Sequence, residues 1–227
     1  MSEHEQSPEA RRIEEALRSA HSGFYLTLVS ITQGLALGYL LQVAGGEFHL
    51  HGTIGVVTAA QYFVAMFFLV MIWHEYAMGT VLFNWRLGLV DSVIPFMFGV
   101  AEYFMINVVE IPIDGHHLSA SRLALWLLSL AIMAAVSCVA YINQSTHVEP
   151  DQQTRFPGSL PKQNLIHASW TCVLLAALAA FCWTRPVARN YEWAVAIAVL
   201  MLFVVHGARY AIVDRRSPLG SNRQVGG

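Results

Sequence analysis

Six apolar runs occupy most of this chain, at approximately residues 23–44, 54–76, 87–109, 123–141, 165–184 and 193–213. A hydrocarbon core of ~30 Å is crossed by roughly 20 residues rising ~1.5 Å each, so every run is long enough to span it. In lipid the backbone must satisfy its own N–H and C=O groups, which makes apolar runs of this length helices. The expected fold is therefore all-α: a polytopic membrane protein, a bundle of six transmembrane helices. Composition agrees, because 56% of the residues are hydrophobic and only 12% are charged. No hydrophilic stretch is long enough to bury a core of its own. The chain divides into an N-terminal segment 1–22, a transmembrane domain 23–213 containing a linker 143–164, and a tail 214–227. The expected partner is the lipid bilayer. With a net charge of −2 and no basic patch, the chain has no electrostatic footprint for nucleic acid.

Basic residues set the expected orientation. Six spans put both termini and the linker on one side, with Arg11, Arg12, Arg18, Arg86, Arg155, Lys162, Arg209, Arg215, Arg216 and Arg223. The other side has Arg122, Arg185 and Arg189. By the positive-inside rule both termini face the cytoplasm, N-in and C-in. Lysine is almost wholly replaced by arginine, which points to a bacterial source and hence to the cytoplasmic (inner) membrane. The N-terminus opens acidic and lacks the basic n-region of a signal peptide. Residues 8–20 read as a separate short helix, capped by Ser7 with Pro8 in its first turn. The second apolar run continues to Trp85, about 32 residues, so its helix is expected to tilt and protrude or to break near Gly79.

Small residues mark packing seams. Ser30, Gly34 and Gly38 recur every four residues in the first run, and Ala168, Cys172, Ala176 and Ala180 do so in the fifth. Such stripes let helices approach closely. Both are expected as seams within the bundle, with a homo-oligomer contact as the alternative. Trp73, Trp85, Trp126, Trp183 and Trp193 lie near run ends and read as interfacial anchors. Cys138, Cys172 and Cys182 all fall within runs, where cysteine acts as a small hydrophobe, so no disulfide framework is expected.

Polar residues inside the runs are the candidates for function. Glu102 stands deep in the third run, where an ionisable group is expensive and turns toward the bundle interior or a wet cavity. Asp91 precedes it by 11 residues. Eleven steps of ~100° bring it within about 20° of the same face, with Pro95 between them. Gln61 and Glu75 share nearly one face of the second run, and Gln33 is mid-run in the first. These five groups can form one polar strip through three helices.

Histidines suggest two further chemistries. His74, His167 and His206 lie within runs toward the linker side, and two of them on facing helices would suit a b-type haem iron. His49, His51, Asp114, His116 and His117 fall in two connections on the opposite side, where imidazole and carboxylate suit a divalent zinc, copper or nickel ion. Neither haem nor metal is favoured over an absence of cofactor.

Several chemistries are excluded. The single lysine, Lys162, is in the linker, so no Schiff base forms inside the bundle. There is no phosphate-binding G-x-x-x-x-G-K-[ST], the sequence WHEY at 73–76 lacks the second His of H-E-x-x-H, and G-x-S-x-G is absent. The leading expectation is a small ion, proton or solute permeation protein working through Glu102, with Asp91, Gln61, Glu75 and Gln33 along the route. The alternatives are the haem-binding redox protein, and a non-catalytic accessory or sensor protein whose polar groups only join helices.

Overall fold

In a computed structural model of the protein the described residues are 8–51, 55–82, 89–109, 120–147, 160–184, 195–204 and 207. Nearly all of them belong to six helices: α1 Pro8–His51, α2 Val56–Leu82, α3 Leu89–Asn107, α4 Ala120–His147, α5 Leu160–Thr184 and α6 Val195–Val204. Four contain spans long and apolar enough to cross a membrane: Gly23–Gly46, Val56–Ala77, Arg122–Asn143 and Asn164–Thr184. The described apolar parts of α3 and α6, Ser92–Asn107 and Val195–Val204, are shorter. Large apolar side chains cover the outside, among them Phe24, Leu35, Val100 and Trp170. An apolar surface of that extent belongs against lipid, which marks a membrane protein.

Helix α1 departs from the sequence expectation. Its 44 residues form one rod of ~66 Å, merging the short helix expected at 8–20 with the first span. It then continues through residues 45–51, expected as a loop. No proline interrupts it. Ending a helix leaves its last four carbonyls unpartnered, which is costly near hydrocarbon, so propagation through Gly45 and Gly46 is the cheaper outcome. Helix α2 likewise runs unbroken through Gly79 to Leu82. Helices also extend into both ends of the expected linker, since α4 reaches His147 and α5 starts at Leu160.

Contacts between named residues fix the helix directions. Tyr25 meets Tyr76 and Ser30 meets Trp73, so α1 and α2 are antiparallel. Gln33 meets Glu102 and Tyr39 meets Asn107, so α1 and α3 are parallel. Helix α4 is the most enclosed, with 56% of its span buried against 22% for α5. It packs on α3 and, most extensively, on α5. Trp126, near the start of the Arg122–Asn143 span, is fully buried in this core and does not face outward as an anchor would. Trp73 and Trp183 are exposed, as anchors would be, while Trp85 and Trp193 lie outside the described residues.

The seams also differ from expectation. Ser30, Gly34 and Gly38 face outward, and an added Cβ on either glycine meets nothing within 4 Å. The buried face of α1 is Tyr25, Val29, Gln33, Ala36 and Leu40. On α5 the buried row is Ala168, Leu175, Ala179 and Cys182, whereas Ala176 and Ala180 are exposed. Steps of four residues drift by ~40° each and carry a stripe off the contact face. Alternating steps of three, four and seven hold it there, as in coiled coils. Two other glycines do allow close approach: a Cβ at Gly99 would lie 2.6 Å from Thr32 Cγ2 on α1, and one at Gly207 would run into the ring of Phe67 on α2. Gly34→Ala and Gly38→Ala are accordingly expected to be neutral or to stabilise by up to about 1 kcal/mol. Thermal unfolding in detergent checks this, and a marked loss of stability would mean that the open face is covered.

Candidate functional site

Glu102 is fully buried on α3, and its Oε1 accepts a hydrogen bond of 2.7 Å from Gln33 Nε2. Gln33 is itself 7% exposed. The other two oxygens of the pair, Glu102 Oε2 and Gln33 Oε1, are buried without a hydrogen-bond partner. Each such orphan costs about 1–3 kcal/mol. Protonation turns one Glu102 oxygen into a donor, and Gln33 Oε1 is an acceptor still without a partner. Ionised, Glu102 has one neutral donor to hold a full charge. The pair is thus a buried ionisable group with incomplete hydrogen bonding at the contact of α1 and α3.

The surrounding helices hold this pair in place. Gly99, one turn before Glu102, brings α1 close at Thr32, the neighbour of Gln33. Thr32 is held by the bond from its hydroxyl to Leu28 O, 2.9 Å. Toward the far ends of α1 and α3, Tyr39 donates to Asn107 Oδ1 at 2.7 Å, and Tyr39 stacks on Tyr103 with centroids 4.7 Å apart. Asn107 in turn donates to Tyr103 O. Pro95, buried inside α3, lacks the N–H that would bond the carbonyl of Asp91, a defect tolerated in membrane helices when neighbours compensate.

On the linker side of this pair lies a cavity of about 100 Å³, bordered by residues of α2, α3, α4, α5 and α6. Glu75 lines it, and so does Phe98. Phe98 is one turn from Glu102 on the same face of α3. Tyr76 packs edge-on against Phe98, with centroids 6.0 Å apart, and against Tyr25 at 5.5 Å. Tyr76 and Phe98 belong to the cavity wall, and Tyr25 packs against Tyr76 from α1.

The expected polar strip is assembled only in part. Gln33 and Glu102 are joined. Glu75 is half-buried in the cavity wall, roughly one turn nearer the linker by the Tyr76–Phe98 register. Gln61 is fully buried, and neither its amide N nor its O has a hydrogen-bond partner. It sits twelve residues before Trp73, which faces Ser30. That places it level with the region near residue 42 of α1, about 13 Å along the axis from Gln33. Asp91 is on α3, and its side chain lies outside the described set.

His74 and His167 are half-buried, each adjacent in sequence to a cavity-lining residue, Glu75 and Ala168; His206 lies outside the described residues. The outer histidine group is altered by the extended α1, since His49 and His51 are helical and not in a loop. His49 is exposed, and Asp114, His116 and His117 lie outside the described residues. Among the described residues no cluster of three or more His, Cys, Asp or Glu side chains is placed to hold a metal.

Sequence reasoning missed Gly99, Tyr39 and Asn107. A glycine one turn from a buried carboxyl, on its face, was the available signal for the first. The other two had none. No family model matches this chain, and no characterised protein or solved structure shows significant similarity to it.

Proposed function

We propose that this membrane protein conducts a proton or small cation, with Glu102 as the group that takes up and releases it. The supporting observation is the fully buried carboxyl with one oxygen held by Gln33 and the other unsatisfied, one turn behind a cavity lined by Glu75. An intramembrane ionisable group is costly, and a neutral amide would join two helices at less expense. The cavity supplies an approach from the linker side, past the ring of Phe98. Gln61, two unpaired amide atoms farther along, and Asp91, on the linker side of Glu102, would extend the route in either direction. The test is proton flux in vesicles reconstituted with the protein under an imposed potassium diffusion potential. Flux above that of protein-free vesicles is expected, and flux equal to theirs would overturn the reading.

The reading includes six crossings of a bacterial inner membrane, with both termini cytoplasmic. It is supported by the arginine distribution and by the alternating directions of α1, α2 and α3. A reporter fused within the linker after His147 is expected to signal from the cytoplasm. An extracytoplasmic signal there would overturn the topology.

A further inference from the structure

The cavity beside Phe98 has walls that passage of a proton does not require. Phe68, Tyr76, Phe98 and Phe203 all line it. Phe68 and Phe203 meet edge to face with centroids 5.2 Å apart, and Tyr76 and Phe98 do so at 6.0 Å. Among the described lining residues Glu75 is the one charged group, and none is basic. Hydroxyl and amide groups of Tyr141 and Asn164 sit toward the linker end.

Each feature narrows the ligand class. A concave, mostly apolar pocket with a few placed polar groups is the usual form of a small-molecule site. A carboxylate with no basic neighbour in the wall disfavours anions. A compact inorganic dication is disfavoured as well, because it requires six or more oxygen ligands and the wall is largely hydrocarbon and aromatic. A weakly hydrated organic ammonium meets both conditions. Its methyl groups pack on rings, its charge is attracted to their faces, and the carboxylate neutralises it. Glu75 is also engaged within the protein, so an arriving cation shares this carboxylate.

We propose that the cavity between α2, α3, α4, α5 and α6 binds a small organic ammonium ion, with Glu75 as counter-charge and Phe68, Phe98 and Phe203 as its aromatic walls. This site is separate from Glu102, and its occupancy is an equilibrium property that does not depend on flux.

The experiment is ligand-observed NMR with the full-length protein in detergent. The probes are choline and 3,3-dimethylbutan-1-ol, which has nearly the same shape without the charge. Choline is expected to bind saturably, and the neutral analogue at least about tenfold more weakly. Glu75→Gln is expected to erase that preference. Ala134→Leu, which adds bulk to the cavity wall at a buried position, is expected to abolish binding of both. Helical circular dichroism and size-exclusion profiles establish that each variant is folded. Absence of saturable choline binding to the folded parent would overturn the proposal, as would equal affinity for the two probes. So would a folded Glu75→Gln variant that keeps the parent's preference. Should either variant fail to fold, the charged and neutral probes on the parent decide the matter alone.

Discussion

Glu102→Gln is expected to leave the helical bundle folded and to abolish proton or cation flux. Glutamine matches glutamate in size and can still accept from Gln33 Nε2 through its carbonyl oxygen. Its NH₂ would stand where Oε2 now stands without a partner. The substitution therefore costs little stability, about 1 kcal/mol or less, because hydrogen bonds between membrane helices are individually modest. It removes the one property a transport group needs, the ability to gain and lose a proton or to offer full charge to a cation. Flux into reconstituted vesicles, measured at mildly acidic and at neutral pH, checks both halves. If Glu102→Gln conducts like the parent at each pH while Glu102→Ala unfolds, the carboxyl is structural. The accessory-protein reading then replaces the transport one.

Gly99→Ala is expected to be the more disruptive change for stability, although it adds a single methyl. The new Cβ would lie 2.6 Å from Thr32 Cγ2. Thr32 is β-branched, and its hydroxyl bond to Leu28 O fixes its rotamer, so the methyl cannot swing aside. Helix α1 must retreat from α3, and overpacking of this kind costs about 1–3 kcal/mol. The retreat pulls Gln33 from Glu102, so flux should fall along with thermal stability. Adding Thr32→Ser to Gly99→Ala removes the clashing methyl and keeps the hydroxyl. The double variant is expected to recover most of the loss. A Gly99→Ala variant as stable as the parent would show that α1 and α3 are not held together at this point.

What the sequence determined is the class of structure and its most costly residue. An apolar run of some 20 residues has one way to satisfy its backbone in lipid, so helices at these positions follow from composition alone. A carboxylate in the middle of such a run must find a polar partner, so Glu102 was identifiable without knowing its neighbours. Only the tertiary structure decided which faces meet. In water a helix declares its buried side by an apolar stripe opposite a polar one. In lipid both sides are apolar, and periodicity carries no such label. That is why Gly34 and Gly38, the conspicuous stripe, face outward, while the isolated Gly99 sits at the helix crossing. It is also why Trp126 could be core or anchor on sequence grounds and is core. The partner of Glu102 belongs to the same category. Gln33, Gln61, Glu75 and Asp91 were all placed in one polar strip with Glu102 along the chain, and the close approach at Gly99 and Thr32 brings Gln33 within 2.7 Å while Gln61 stays about two and a half turns away.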